Sequence, residues 1–339
     1  MPRTPARRRP RLPAAFLAAL LALVGLAACS SSSGGSGDAG GSVETREISD
    51  ARQMSIRVPV APTRVVTLSE PALDGALALG VTPVGTTSGR GVPGVAPYLA
   101  DKAGEVPIVG GVGKPDLEKI AGLKPDLILT DGTSTGGKQD ALDALQRIAP
   151  VVSSGDAGGD WKANLTILGD ALNKNDDAKR VIGEYDSTTA ALRERLAPTY
   201  GDKTFSVVRW QGKGPGLILK ELLAGRALTD VGLRRPASQD REGPGHSEPV
   251  ATENIATIDA DYMFFGTLGG SSVGNPNGGG ASDVEASKAA LDKARETPGF
   301  AELGAVRTGH VIPVDGYWTS AGGPLLMRLI VADIDKALP

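Results

Sequence analysis

Short apolar segments alternate with helical segments along most of this chain of 339 residues. Apolar runs bounded by proline or glycine are typical of buried parallel strands, and the segments between them have the length of helices. This order predicts an α/β fold whose mostly parallel sheets are covered by helices. The candidate strands are Val65–Leu68, Val81–Val84, Leu127–Leu129, Pro150–Val152, Phe205–Val208, Tyr262–Phe265 and Val311–Val314. The candidate helices are Pro71–Leu79, Pro115–Leu123, Gln139–Ile148 and Gly322–Leu338.

The alternation stops between Asp160 and Pro198. Apolar residues recur there at helical spacing without a strand-like segment, and Asn175 or Asp176 could cap a long helix that ends near Leu196. A long helix between two α/β halves indicates two lobes and a stiff connector. We therefore expect an N-terminal lobe over residues 48–160, a connector over 161–198 and a C-terminal lobe over 199–339. Two polar, glycine-rich segments, 237–245 and 269–282, are predicted to be surface loops.

Residues 1–28 have the pattern of a bacterial export signal. Five arginines precede an apolar stretch from Ala14 to about Leu26, which is short for a membrane span. The stretch leads into Leu26-Ala27-Ala28-Cys29, which resembles a lipobox, the motif whose cysteine is lipidated after cleavage. The alternative is an ordinary secretory signal with an incidental cysteine, and the export route stays open between the general and twin-arginine systems.

Residues 29–47 begin with a segment that is almost entirely serine and glycine, which predicts a flexible tether. An anchor and a tether together predict an extracytoplasmic domain held at the cell membrane. Cys29 is the only cysteine, so no disulfide is expected. Removal of the signal takes away five arginines and no acidic residue, and the remaining acidic chain is not expected to bind nucleic acid.

Several stretches resemble the periplasmic binding proteins that carry siderophores, haem and cobalamin. The resemblance spans roughly residues 58–338 and implies a class III architecture, in which one long helix joins two lobes around a shallow ligand cleft. It also implies a monomeric, non-enzymatic lipoprotein without a cofactor, which delivers its ligand to the permease of an ABC transporter. The stretches lie at 62–68, 74–85, 115–129, 253–265 and 305–324, the last reading AVRTGHVIPVDGYWTSAGGP.

Two glutamates match the positions at which the family contacts its permease. These are Glu118 in DLEKI and Glu253 in TENIA. The resemblance implies that one carboxylate on each lobe docks onto permease arginines, since complementary charges set the orientation of a complex. The alternative is that each is an ordinary solvated glutamate.

Ligands of α/β sheets bind beyond the carboxyl ends of the strands, and this rule nominates the cleft residues. A ferric siderophore of the hydroxamate type needs aromatic walls and arginines that donate to the iron-bound oxygens. Arg209-Trp210 fits this need and resembles the arginine of hydroxamate binders in the family, while core packing is the alternative for the tryptophans. The predicted ligand-binding residues are Ser69, Glu70, Arg90, Trp161, Arg209, Trp210, Tyr317 and Trp318.

The residues also allow other functions. A haem protein of the same fold could use His246, Tyr98 or Tyr317 as an axial ligand, and cobalamin is a further alternative. The sequence Gly132-Thr133-Ser134-Thr135-Gly136 matches a hydrolase nucleophile elbow, which would make Ser134 the nucleophile of a secreted serine hydrolase. No resident metal is expected, since the chain has only two histidines.

Overall fold

A computed structural model describes residues 44–212, 214–243, 247–270 and 279–339. The predicted signal, Cys29 and His246 lie outside this part of the chain, as do parts of both predicted loops. Strand β1 begins at Thr45, so the folded domain starts inside the interval predicted as tether. Among the described residues, none of the helices is both long enough and apolar enough to cross a bilayer.

The described residues form strands and helices in the expected alternation. The strands are β1 Thr45–Ser49, β2 Ser55–Pro59, β3 Val65–Thr67, β4 Gly85–Thr86, β5 Gly110–Gly111, β6 Lys114–Pro115, β7 Leu127–Thr130, β8 Val151–Ser153, β9 Phe205–Gln211, β10 Gly214–Ile218, β11 Ser247–Pro249, β12 Tyr262–Gly266 and β13 Val311–Pro313. The α-helices are α1 Glu70–Ala78, α2 Ala100–Ala103, α3 Leu117–Gly122, α4 Gln139–Gln146, α5 Trp161–Ala171, α6 Asn175–Tyr200, α7 Leu223–Asp230, α8 Val284–Ala294, α9 Gly304–Arg307 and α10 Pro324–Ala337. Short 3-10 helices occur at Pro97–Leu99, Thr252–Ile258 and Gly316–Thr319.

The first lobe is built on a four-stranded parallel sheet in the order β4-β3-β7-β8. The prediction of a strand at Val81–Val84 was wrong, because the paired residues are Gly85 and Thr86. Gly85 suits this edge position, since a Cβ there would meet the Leu123 side chain at 2.5 Å. The hydroxyls of Thr86 and Thr67 are hydrogen bonded at 2.8 Å across the neighbouring strands.

The second lobe has a five-stranded sheet in the order β11-β10-β9-β12-β13. Strands β9, β12 and β13 are parallel, whereas β10 and β11 are antiparallel additions at one edge. Strand β9 runs to Gln211, beyond the predicted end at Val208, and turns back directly into β10. The sequence did not predict β10, because Gly214-Pro215-Gly216 lacks strand-forming residues.

One hydrophobic core lies between the two sheets and contains the connector. Helices α1, α5, α6, α7 and α10 contribute to it together with β3 and β7 of the first sheet and β9 and β12 of the second. The outer faces of the sheets pack on α3 and α4 in the first lobe and on α8 in the second. The predicted α/β architecture, with two lobes joined by a long helix, is therefore confirmed. Helix α6 continues past the predicted end at Leu196 to Tyr200.

Candidate ligand-binding site

A cavity of about 550 Å³ lies between the two lobes at the carboxyl ends of the strands. Three predicted site residues, Glu70, Arg90 and Tyr317, line it together. Its volume falls within the range of small-molecule sites. The cavity lining comes from Glu70, Arg90, Val92, Ala96, Pro97 and Tyr98 of the first lobe and from Leu268, 280–283, Asp315, Tyr317 and Ser320 of the second.

Ser69 and Glu70 are positioned by the start of α1. The Ser69 side chain caps this helix by accepting a hydrogen bond from the Ala72 N–H at 3.2 Å. Ser69 is consequently buried by its capping role and does not line the cavity. Glu70, in the first turn of α1, does line the cavity.

Two carboxylates and a tyrosine form a hydrogen-bonded cluster at the cavity wall. The Tyr98 hydroxyl donates to Asp74 Oδ2 at 3.2 Å and also bonds to Glu70, which accepts from the Arg90 backbone N–H. Burial raises the pKa of Glu70 to about 7, although the charge of Arg90 opposes this change. Burial likewise raises the pKa of Asp74 to about 6, although hydrogen bonds from backbone N–H groups and from Tyr98 act to lower it. Glu70 therefore titrates near neutral pH.

Arg90 lines the cavity, and Arg209 is its neighbour but is not among the lining residues. Arg209 donates to the Thr319 carbonyl, and within the described residues the Nε atoms of Arg209 and Arg90 are buried without a hydrogen-bond partner. Burial, and then the positive charge of Arg90, lower the pKa of Arg209 to about 10. Two neighbouring cations with unused donors make this the part of the cavity that favours an oxygen-rich, electron-rich ligand.

The structure assigns two predicted ligand residues, Trp210 and Trp318, to the core. Trp210 is 4% exposed and packs against Phe265 and Phe300, and Trp318 is fully buried and stacks on Phe264 at 4.4 Å. Because β9 extends to Gln211, Trp210 is a strand residue and points to the opposite face of the sheet from Arg209. The predicted ligand-binding role of these two tryptophans was therefore wrong.

Trp161 and Tyr317 differ in their relation to the cavity. Trp161 is 3% exposed, packs edge-on against Tyr185 at 4.8 Å and borders a separate groove at the start of α5. Tyr317 keeps a partly exposed ring beside Tyr98, with the ring centroids 6.2 Å apart. The Tyr317 hydroxyl donates to Asp333 Oδ2 at 2.6 Å, which fixes the ring at the cavity wall.

A second recess of about 490 Å³ lies between the loops that follow β7, β8 and β10. Arg226 and Glu221 line it from the second lobe, opposite Thr133 and Asp156 of the first. Sequence reasoning missed Arg226 and Glu221 because it missed β10, the strand that places them. A further groove, about 570 Å³ in volume, runs between α6 and α10 away from the strand ends, and we call it the α6–α10 groove.

Ser134 is not placed as a nucleophile. Its side chain is 1% exposed, and its hydroxyl accepts from the Asp131 N–H at 2.9 Å and donates to Asp131 Oδ1 at 3.2 Å. The ring of His310 stacks on Tyr262, and its Nδ1 bonds to the Asp261 carbonyl at 3.1 Å. Ser134 therefore closes a turn instead of facing a substrate.

Glu118 and Glu253 occupy corresponding positions in the two lobes. Each is exposed and lies in the first turn of a short helix, α3 in the first lobe and the 3-10 helix Thr252–Ile258 in the second. Both carboxylates are thus accessible to a partner.

These features define a two-lobed extracytoplasmic-type binding protein with a solute cavity between its lobes. Residues 65–317 match the family model described as periplasmic binding protein, and the chain belongs to this family. Similar proteins include the probable siderophore-binding lipoprotein YfiY of Bacillus subtilis, which is 31% identical over 87% of this chain and 88% of that protein. The achromobactin-binding periplasmic protein of Dickeya dadantii is 30% identical over 81% of this chain and 86% of that protein. The crystal structure of Staphylococcus aureus SirA complexed with staphyloferrin B has a TM-score of 0.73 and 28% identity, and covers 87% of this chain and 98% of SirA.

Proposed function

We propose that this protein captures a ferric siderophore in the cavity between its lobes and delivers it to the permease of an ABC importer. The observation that carries the proposal is the cavity of about 550 Å³ between the lobes, whose wall carries the guanidinium donors of Arg90, with Arg209 beside them. Iron-bound siderophore oxygens are suitable acceptors for these donors. Similar proteins that are named for the binding of siderophores or iron complexes support the same class of ligand.

The charge of the cavity favours a hydroxamate complex over a catecholate complex. Glu70, Asp283 and Asp315 line the same cavity as Arg90, so the carboxylates offset the guanidinium charge. A ferric tris-catecholate carries a high negative charge and would face these carboxylates, whereas a ferric hydroxamate presents polarised oxygens with little net negative charge. The iron(3+)-hydroxamate-binding protein FhuD of Bacillus subtilis is 26% identical over 78% of this chain, in keeping with this preference.

Haem ligation by Tyr98 or Tyr317 is disfavoured by the state of these two tyrosines. An axial tyrosine binds iron as tyrosinate. Burial and the nearby carboxylates raise the pKa of Tyr98 and of Tyr317 well above the usual value, and Tyr317 is held by Asp333. Both side chains are therefore donors to carboxylates at neutral pH.

The test is a titration of the protein with ferrioxamine B, ferric citrate, ferric enterobactin and haemin, followed by intrinsic tryptophan fluorescence. We expect saturable quenching by ferrioxamine B and weaker or no binding of ferric enterobactin. Tight binding of ferric citrate alone would still identify the ligand as a ferric siderophore, but as one of the carboxylate type and not of the hydroxamate type. Saturation by haemin alone would contradict the proposal.

The proposal has two further parts. The first is that the protein has no catalytic activity. The second is that Cys29 is a lipid anchor that holds a monomer at the outer face of the membrane. The burial of Ser134, which is 1% exposed, supports the first point, since its hydroxyl is hydrogen bonded to Asp131 and does not face a substrate. Hydrolysis of p-nitrophenyl acetate that is lost in Ser134→Ala would contradict it. Release of the protein into the medium by Cys29→Ser would support the anchor.

Delivery to the permease gives a separate prediction for Glu118 and Glu253. The double variant Glu118→Arg with Glu253→Arg should bind ligand as the wild type does, because both residues are exposed and absent from the cavity lining. Uptake of radioactive ferric siderophore by cells that express it should be abolished, because two attractive contacts become repulsive. The matched control is Glu105→Arg with Glu302→Arg, which also reverses one exposed glutamate in each lobe. Normal uptake by the first pair would remove the docking assignment.

A further inference from the structure

A carboxylate of the first lobe caps the last helix of the second. Helix α10 begins at Pro324, and its own N-cap residue, Gly323, has no side chain with which to accept a hydrogen bond. Asp74 of α1 accepts instead from the Leu325 N–H at 2.8 Å and from the Leu326 N–H at 3.1 Å. These are the two donors that an N-cap side chain ordinarily satisfies. The bonds join residues 251 and 252 positions apart in the chain.

Two glycines make the close approach of α1 and α10 possible. A Cβ on Gly323 would meet Asp74 Oδ1 at 2.8 Å, and a Cβ on Gly322 would meet the Tyr98 hydroxyl at 2.8 Å. Both glycines belong to the SAGGP segment that ends the family-like stretch 305–324. The segment therefore has a packing role at the lobe boundary, and its sequence alone does not predict this role.

The same carboxylate holds the cavity wall. Asp74 is fully buried and its Oδ2 accepts from Tyr98, whose ring lies beside Tyr317 of the second lobe. One side chain thus connects the body of α1, a wall residue of the cavity and the start of α10. Other charged groups facing this cluster are Glu70, on the same helix, and Arg90, from the loop after β4.

We infer that Asp74 is a positioning residue for ligand binding, which braces the two lobes through the N-terminus of α10 and fixes Tyr98 at the cavity. The inference rests on the proposed function, because the cavity it stabilises is the proposed siderophore site. Asp74 contacts no ligand in this account and acts through Tyr98 and α10.

The test compares Asp74→Asn with a matched cap inside one lobe. Asp259 accepts from the Gly304 and Ala305 N–H groups at 2.7 and 3.2 Å, so Asp259→Asn removes the same kind of contact at the start of α9 without touching the lobe boundary. Gly323→Ala is the second variant, because it keeps the carboxylate but displaces it. If Asp259→Asn shows the same effect as Asp74→Asn, the effect comes from the loss of a helix cap in general and not from the lobe boundary.

The first readout is the distance between the lobes without ligand. The full chain has a single cysteine, so Cys29→Ser allows spin labels to be placed at Glu118→Cys and Glu253→Cys, one exposed position in each lobe. We expect one narrow distance distribution in the otherwise unchanged protein and in Asp259→Asn. Asp74→Asn and Gly323→Ala should broaden or displace it.

The second readout is affinity for ferrioxamine B, which we expect to fall about tenfold in Asp74→Asn and to remain unchanged in Asp259→Asn. Distance distributions and affinities of Asp74→Asn that match the wild type would overturn the inference, as would equal effects of both variants. Failure of every protein to bind ferrioxamine B would count against the proposed ligand class, whereas the unliganded distances would still decide the role of Asp74.

Discussion

Replacing Arg209 by methionine should weaken the binding of a ferric siderophore by roughly 10- to 100-fold, the value of one or two charge-assisted hydrogen bonds. The same change should not lower the melting temperature. Burial and the charge of Arg90 lower the pKa of Arg209 to about 10. The charged form of Arg209 therefore lowers the stability of the ligand-free protein. Methionine removes that cost while filling similar space. Isothermal titration calorimetry and thermal unfolding measure the two effects on one sample.

Arg193→Met is the matched control for this experiment. Arg193 also donates to backbone carbonyls, those of Asp230 and Thr229, but it is exposed, whereas Arg209 lies beside Arg90 of the cavity wall. It should leave affinity unchanged. Wild-type affinity in Arg209→Met would show that this guanidinium does not contact the ligand, and the charge argument for the cavity would then rest on Arg90 alone.

The unliganded protein should be more stable at pH 5.5 than at pH 8, and Glu70 should account for much of the difference. Its pKa is raised from 4.5 to about 7 in the folded protein, chiefly by burial. The folded state therefore holds this proton more tightly than the unfolded state, and the stabilisation present below pH 4.5 is lost as the pH rises through 7. Because Glu70 keeps some exposure at the cavity, we expect a contribution of about 2 kcal/mol.

Urea unfolding of the wild type and of Glu70→Gln at several pH values measures this contribution. In the variant, the free energy of unfolding should change much less between pH 5.5 and pH 8 than in the wild type. The variant should be the more stable protein at pH 8. Burial also raises the pKa of Asp74, Asp131 and Asp315, so a smaller slope should remain. Glu302→Gln, a change at an exposed position, serves as the control. Parallel curves for wild type and Glu70→Gln would mean that the Glu70 proton is not linked to folding.

The sequence predicted the architecture because local signals agreed with it. The apolar runs 65–68, 127–129 and 262–265 are too short for helices and become central strands, and the strand-free interval after Asp160 becomes α5 and α6. Where local signals were weak the prediction failed. The β10 segment contains Gly214, Pro215 and Gly216, and its hairpin is set by pairing with β9.

The site was predicted less completely, and the errors share a cause. Arg209 and Trp210 were both placed in a loop beyond β9, yet they lie in the strand, where alternation turns them to opposite faces of the sheet and puts Trp210 in the core. A shift of a few residues in a strand end therefore changes the role of a side chain. The part played by Asp74 had no local signal, because its partners at 325 and 326 approach it only in the folded chain.

The most direct test of the proposed binding site is the position of iron in a crystal of the protein grown with ferrioxamine B, located by anomalous scattering at the iron edge. We expect one iron site in the cavity between the lobes, with siderophore oxygens facing Arg90 and Arg209 and the complex bordered by Tyr98 and Tyr317. Iron confined to the α6–α10 groove or to surface carboxylates, with the cavity empty, would contradict it.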